Sequence, residues 1–420
     1  MCLFQNNTEA LEITDKTLFL LGNGCSMEYG FPNGNELLLK VFQLIQQYGY
    51  YSSFIHNLYH KLENFLSILS DLDNKTKWGS IESLHIPYYS DKLNSAFQSN
   101  LCSNRTNCLK YYSEKDSVIC LNCADSKITG LEEITFKISY DKHICCKEVN
   151  DFLRNLKIWE LFYELSRKYK DNNKYGQGSI EFKKFNVYHA YDDLVKIIAE
   201  MLFFCYENRK DSKSYFEFIR NLSSFNGTIV SLNYDLLIEQ ETSQNRSFKL
   251  IKPHGSFDLL YYEGSPYLHW NVVPTSYTNI YRFKDEKNMS DFICRGFLPT
   301  TFSLNIAYAD INTHKSIQGT NQAKFVREYT IHEVERLKNI IPNCDKVVTI
   351  GYSFSENYNK NGLIDNHIIE PLLSKKIYVV GKGNTKDIVD RVKKYYKKPQ
   401  ILHTDFNGFG DYARQIKYHK

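Results

Sequence analysis

Short, continuous apolar runs recur along the chain, and each stops at a glycine or a polar turn. They occupy residues 18–21, 228–232, 347–350 and 377–380. Runs of this length and composition are typical of strands buried on both faces of a parallel sheet. Apolar residues with helical spacing follow the first run. The pattern predicts an α/β protein in which buried strands alternate with helices.

The turn after the first run is rich in glycine and reads GNGCSMEYGFP over residues 22–32. Glycines allow a close approach of ligand to backbone, and Ser26 adds a hydroxyl to the same turn. Asn33 and Glu36 have the spacing of an N-cap and its N3 partner, so a helix is expected next. A strand, a glycine turn and a helix aim backbone N–H groups at an anion, which predicts a phosphate-binding, Rossmann-like unit. An ordinary strand-to-helix turn explains the same pattern.

Polar side chains follow two further predicted strands. Asn233 and Asp235 come after the run at 228–232, and His254 follows the apolar pair Leu250 and Ile251. Ligands bind at the carboxyl ends of strands in open α/β sheets, and a neutral imidazole there accepts a proton near pH 7. The alternative is that Asn233 and Asp235 serve only as turn and helix-cap residues and that His254 is structural.

The chain divides into three predicted parts. Residues 1–49 form the first part of the Rossmann-like domain, residues 50–226 a large, mainly helical insertion, and residues 227–420 the remainder, with an unassigned insertion at 259–340. The helical prediction rests on aromatic and leucine residues at helical spacing in the second part. These aromatics are expected to form core or subunit interface rather than a platform for stacking bases.

Four cysteines in the second part have partial metal-ligand spacing. Cys120 and Cys123 are spaced as in a zinc knuckle, whereas Cys102 and Cys108 are further apart than usual. The sequence supports a structural zinc site and four reduced thiols about equally.

Composition limits the protein's surroundings and partners. The chain has 420 residues and a formal net charge of +4, too slight to indicate nucleic-acid binding. A basic cluster within residues 391–398 is expected to be the solvated face of a helix. No apolar run approaches the roughly 20 residues that span a bilayer, and no signal peptide is recognisable, so we expect a cytoplasmic protein with reduced cysteines.

Four segments, taken in order, resemble motifs of sirtuin-like NAD-consuming domains. GNGCSMEYGFP resembles their glycine-rich opening, SLNYD at 231–235 their Asn-x-Asp segment, and PHGS at 253–256 their His-Gly motif. GYS at 351–353 resembles their phosphate- and ribose-contacting turn. The same motif order is shared with AbiH-type abortive-infection proteins. The four-cysteine zinc ribbon that protein deacylases carry after the histidine is missing, so the chain resembles the bacterial anti-phage branch, whose members hydrolyse NAD.

The resemblance implies specific roles for these residues. Asn233, His254 and Asp235 would be catalytic, with Asn233 orienting water and the ribose and His254 acting as general base. The residues expected to bind NAD are Gly22, Asn23, Gly24, Ser26, Pro32, Gly351 and Ser353.

Two alternatives remain at this stage, and the partners are expectations. The chain is either an NAD hydrolase or a module that binds NAD or an ADP-ribosyl nucleotide without turnover, with a protein deacylase in third place. A toxic hydrolase needs restraint, so we expect a homo-oligomer and a partner such as a motor ATPase.

Overall fold

The structure is a computed structural model that describes part of the chain. The described residues are 12–33, 110–114, 117–120, 132–135, 198–199, 201–211, 213–241, 247–263, 272–284, 324–354, 364–381, 386–395, 400–401 and 409–418. The helix predicted after Asn33 lies outside them.

A six-stranded parallel sheet forms the centre of the described protein. Its strands are β2 (Thr17–Leu21), β6 (Thr228–Ser231), β7 (Lys249–Ile251), β11 (Lys346–Ile350), β12 (Lys376–Val380) and β13 (Gln400–Ile401). Their spatial order is β7-β6-β2-β11-β12-β13, and every neighbouring pair is parallel. The chain therefore builds outward from β2 in one direction and then returns to build outward in the other. The predicted α/β class is confirmed at this level.

The apolar runs become strands because both of their faces are covered. In β2, Leu18 and Leu20 belong to a core cluster that includes residues of the helices after β10. Phe19 points to the opposite face, where its ring meets Phe218 and Phe225 edge-on at 5.3 and 5.6 Å. Every residue of β2 is buried, as expected for a central parallel strand.

Six helices are described around this sheet. They are α1 (Lys213–Asn221), α2 (Leu237–Glu241), α3 (Ile331–Ile340), α4 (Ile364–Leu372), α5 (Lys386–Tyr395) and α6 (Phe409–Gln415). Residues 201–207 are also helical. A π-helical turn, Val326–Thr330, leads directly into α3. Helices α2, α4 and α5 each connect neighbouring parallel strands, which is the usual crossover in α/β proteins.

Three smaller sheets accompany the central one. The strands β8 (Leu259–Tyr261), β9 (Val272–Pro274) and β10 (Ile280–Phe283) form an antiparallel sheet in the order β8-β10-β9. Strands β1 (Glu12–Ile13) and β14 (Lys417–Tyr418) pair in parallel.

The third small sheet lies inside the segment predicted to be mainly helical. Strands β3 (Lys110–Glu114), β4 (Ser117–Cys120) and β5 (Glu132–Thr135) pair antiparallel in the order β4-β3-β5. The helical prediction is therefore wrong for residues 110–135 where they are described. The alternation in KYYSE and SVIC is too short for helical spacing to be tested against it.

Helices long and apolar enough to cross a membrane were sought in the described part of the chain, and there are none.

Candidate functional site

The predicted site residues follow strands that end at one edge of the sheet. The register pairs Leu21 with Ile350 across β2 and β11, and Val230 with Ile251 across β6 and β7. Asn233 and His254 therefore each stand three residues beyond a paired position. The edge lies beside the point where the order of the strands reverses, between β2 and β11. Ligands of open α/β sheets bind in crevices at such a point.

Two glycine turns at this edge are in direct contact. A Cβ added to Gly22 would lie 2.5 Å from the carbonyl oxygen of Gly351, and one added to Gly24 would lie 2.8 Å from the Cα of Gly351. Gly351 itself has a φ of +63°, and its own Cβ would lie 2.7 Å from the amide nitrogen of Cys25. These positions require glycine because one backbone rests on another, with no space between them for a side chain.

The amide groups of the first turn are occupied by protein carbonyls. Gly22 donates to Ile350 at 2.8 Å and Gly24 donates to Gly351 at 2.9 Å. Cys25 and Ser26 donate to the carbonyls of Gly22 and Asn23, respectively, in a short 3-10 turn. The predicted cradle of amides open to an anion is therefore wrong for these four groups. The glycines instead join two strand ends, and the side chains beyond them are what face a ligand.

Three buried side chains, Ser26, Asn233 and Asp235, form what we call the asparagine cluster. The Asn233 amide nitrogen donates to the Gly22 carbonyl at 3.1 Å and to Ser26 Oγ at 2.9 Å. Ser26 Oγ in turn donates to Asp235 Oδ2. The other carboxylate oxygen, Asp235 Oδ1, accepts the main-chain N–H of Leu237 at 3.1 Å. This chain of donors fixes which way the Asn233 amide faces.

The Asn233 side-chain oxygen is the acceptor that this arrangement leaves over. Asn233 is 4% exposed, and its Oδ1 has no hydrogen-bond partner among the residues that the structure describes. A buried carbonyl oxygen without a donor costs roughly 1–3 kcal/mol. Such a group in a folded protein needs an explanation, and a hydroxyl of a ligand or a water supplies one.

Burial raises the pKa of Asp235 above its usual value, while Lys252 and the hydrogen bonds from Ser26 and Leu237 lower it. Lys252 is 3% exposed; its ammonium group donates to the main-chain carbonyl of Asp235 and lies 2.9 Å from Glu239 Oε1. A positive charge is therefore buried next to the asparagine cluster. It also connects the segment after β7 with the segment after β6.

The neighbouring Cys25 is excluded as a nucleophile. Its side chain is fully buried, and its thiol donates to the carbonyl of Ile350 at 3.2 Å. Burial, with Asp235 and Glu28 nearby, raises the pKa of the Cys25 thiol well above its usual value. The thiol therefore stays protonated at neutral pH, and the reactive thiolate is not formed.

His254 is carried by a tight turn directly after β7. The Gly255 amide donates to the Lys252 carbonyl at 2.9 Å, with Pro253 at the second position of the turn, where proline is favoured. The His254 ring is half-buried and stacks on Tyr234, with 6.0 Å between ring centroids. The Phe257 amide donates to the Tyr234 carbonyl at 3.1 Å, so the two segments carrying Asn233 and His254 are joined at several points.

The remaining predicted ligand contacts lie around these residues. The side-chain amide of Asn23 donates to the carbonyl of Pro32 at 2.8 Å and closes the glycine turn, while Ser353 is exposed. Phe354, next to Ser353, has a φ of +48°, which is unusual for a bulky residue. Ser26 is fully buried, so its role in the structure is to orient Asn233.

The predicted zinc ligands lie largely outside the described residues. Cys102, Cys108 and Cys123 are not described, and Cys120 is described only as the last residue of β4, paired with Tyr111 of β3. The described residues contain no group of three or more potential metal ligands. Zinc binding stays a prediction.

A second buried group was not predicted from the sequence. Glu333 of α3 is 3% exposed and accepts three hydrogen bonds: from the Lys252 main-chain N–H at 2.9 Å, from the Tyr277 hydroxyl, and from Arg336 at 3.1 Å. We call Lys252, Glu239, Glu333, Tyr277 and Arg336 the lysine–glutamate network. One signal was available, because Glu333 shares the helical face of Leu337, a buried apolar residue.

Comparisons with known proteins give no family for this chain. No protein-family profile matches it, and no curated protein matches it significantly.

Proposed function

We propose that the chain is an NAD hydrolase that converts NAD and water to ADP-ribose and nicotinamide. The observation that carries the proposal is the unpaired, buried Oδ1 of Asn233 at the carboxyl edge of the sheet. A free acceptor held in a fixed direction suits a ribose hydroxyl or the attacking water, both of which donate hydrogen bonds. His254 follows the adjacent strand and is half-exposed, as a general base must be.

The order of the strands supports a dinucleotide as the ligand. Numbered along the chain within the sheet, the strands stand in the order 3-2-1-4-5-6, which is that of Rossmann dinucleotide-binding folds. In this proposal the dinucleotide lies across the edge where β2 and β11 meet. Ser353, which is exposed there, contacts the phosphates or the adenosine ribose.

The reaction breaks the bond between the nicotinamide nitrogen and C1′ of its ribose. Nicotinamide leaves with the bonding electron pair, and positive charge develops on the ribose ring. Asn233 orients the ribose and the water, whose oxygen bonds to C1′, and His254 accepts a proton from that water or a ribose hydroxyl. The products are nicotinamide, ADP-ribose and one proton. Asp235 keeps Ser26, and through it Asn233, in the correct orientation.

The partners follow from this proposal rather than from any contact in the structure. An enzyme that consumes NAD needs restraint, so a homo-oligomer and a partner such as a motor ATPase remain part of the proposal, as does a role in bacterial anti-phage defence. Light scattering at micromolar concentration tests the oligomer, and a strict monomer would contradict it.

The experiment is to incubate purified protein with NAD and to separate nicotinamide and ADP-ribose by chromatography. We expect turnover by the wild type and a loss of at least about 100-fold in Asn233→Ala and in His254→Ala, since each removes a group that acts on the reacting ribose. Ser223→Ala, a change at an exposed residue away from the edge, is the matched control and should keep full activity.

Two results would contradict the proposal. Full activity in a folded Asn233→Ala variant would remove Asn233 from the mechanism. Tight NAD binding by the wild type without any product would identify the chain as a binding module, the second candidate function.

A further inference from the structure

The lysine–glutamate network reaches the proposed site from a part of the chain that carries none of the recognised motifs. Glu333 lies 81 residues after Lys252, on α3, yet its carboxylate Oε2 accepts the Lys252 main-chain N–H at 2.9 Å. That N–H belongs to the first residue after β7, so the bond is made where the sheet ends and the turn carrying His254 begins.

The Glu333 carboxylate is itself held on its other side. Its Oε1 accepts the Tyr277 hydroxyl, from the loop between β9 and β10, and the Arg336 guanidinium, one helical turn further along α3. The three donors come from different elements, so the carboxylate has little freedom to move. A buried carboxylate with several donors is well satisfied and rigid.

Both peptide groups of Lys252 are consequently fixed. Its N–H is bound by Glu333, and its C=O accepts the Gly255 amide at 2.9 Å to close the turn. The Lys252 ammonium is also anchored, to the carbonyl of Asp235 and to Glu239. His254 lies inside this turn and stacks only on Tyr234 at its face.

We propose that Glu333 is a positioning residue that holds the turn carrying His254 in its place at the edge of the sheet. The proposal rests on the NAD hydrolase function for its effect on turnover. The anchoring of the turn does not depend on that function and is measured separately. Catalytic groups must be held to within a fraction of an ångström, and a displacement of about 1 Å costs on the order of 100-fold in rate.

The first experiment measures the anchor directly, by hydrogen–deuterium exchange followed by mass spectrometry on the full chain. In Glu333→Met, which keeps the length of the side chain and removes both acceptors, we expect the peptide covering residues 251–256 to exchange about tenfold faster. Peptides of β2 and β11 should be unchanged, which shows that the sheet is intact. Glu335→Gln, at an exposed residue on the same helix, is the matched control and should match the wild type.

Two milder variants keep the test decisive if Glu333→Met does not fold. Glu333→Gln keeps one acceptor oxygen for the Lys252 N–H, so its exchange should lie between those of the wild type and Glu333→Met. Tyr277→Phe removes only one donor to Glu333, so a smaller increase is expected. Unchanged exchange at 251–256 in every folded variant would overturn the proposal.

The second experiment separates positioning from general stability by enzyme kinetics on NAD. In Glu333→Met we expect kcat to fall about 10- to 100-fold, with KM changed less than about twofold, because the binding groups are elsewhere on the edge. Glu333→Gln should recover part of kcat. A variant that loosens the turn and yet keeps full kcat would overturn the positioning role. A wild type without turnover would contradict the proposed hydrolase and leave the exchange result to decide the anchor.

Discussion

The asparagine cluster and the lysine–glutamate network lie next to each other, yet they satisfy their polar groups differently. In the network, Glu333 accepts three hydrogen bonds and Lys252 is held by both Asp235 and Glu239. In the cluster, Asn233 donates twice and accepts nothing from the described residues.

This difference separates groups that maintain the structure from groups that await a ligand. Burying a charge is costly, and the network offsets that cost with a complete set of partners. Burying an acceptor without a donor is also costly, and nothing in the described protein offsets it at Asn233. Changes to the network should therefore reduce stability first, and changes at Asn233 should reduce activity first.

The largest expected effect is that of Lys252→Met on stability. The change removes the only positive charge recorded beside Glu239 and the donor to the Asp235 carbonyl, which leaves both buried groups without that partner. Removing one member of a buried ion pair costs about 3–5 kcal/mol. Urea denaturation measures the free energy of unfolding.

The matched control for Lys252 is Lys213→Met. Lys213 forms an ion pair with Asp211 at 3.2 Å, but both side chains are more than 60% exposed. Exposed pairs contribute little, so no measurable loss is expected. If the two variants were equally stable, the network would not be the structural element described here.

The next effect tests the contact between the two glycine turns. Gly351→Ala places a Cβ 2.7 Å from the Cys25 nitrogen and requires alanine at a φ of +63°, so we expect a loss of at least about 3 kcal/mol. Gly30→Ala is the control: its φ is +96°, but no atom lies within 4 Å of the added Cβ. Strain alone costs about 1–2 kcal/mol there.

Equal losses in Gly351→Ala and Gly30→Ala would contradict the close packing of the turns. A folded Gly351→Ala variant should also lose NAD turnover, because the turn it distorts includes the carbonyl of Gly22 that orients Asn233.

The smallest effect is a change in how stability depends on pH. The folded-state pKa of Asp235 is raised, so the folded protein binds that proton more tightly than the unfolded chain does. Its contribution to the free energy of unfolding is therefore fully present below about pH 3.9 and is lost as pH rises through the raised pKa. Each unit of pKa shift corresponds to about 1.4 kcal/mol.

Asp235→Asn removes this dependence. The difference in free energy of unfolding between wild type and variant should become less favourable to the wild type as pH rises from 4 to 7, in urea titrations at fixed ionic strength. Asp390→Asn, at an exposed residue of α5, serves as the control. A difference that does not change with pH would show that Asp235 is not raised.

The sequence was sufficient to predict the strands but not how they meet. The runs at 18–21, 228–232, 347–350 and 377–380 became β2, β6, β11 and β12 because each is apolar on both sides and both faces of the sheet are covered. Chain order alone does not determine which strands are neighbours, and the sheet order came from the structure.

The same reason explains which parts of the site were predicted. Asn233 and His254 were found because each follows a recognisable strand. The bond from Asn233 to Ser26 spans 207 residues and that from Lys252 to Glu333 spans 81, and such pairs depend on tertiary packing that no local pattern records. The glycine turn was misread as an anion cradle because its composition is the same whether the amides face a phosphate or a second turn.

The most direct test of the central claim is to locate NAD on the protein by hydrogen–deuterium exchange. The measurement compares full-length protein with and without a saturating, non-hydrolysable NAD analogue. Ligand at the proposed edge should slow exchange in peptides covering residues 22–33, 231–237 and 251–258, and the protection at 231–237 should be lost in Asn233→Ala. Protection confined to other parts of the chain, or none at saturation, would contradict the assignment of this edge as an NAD site.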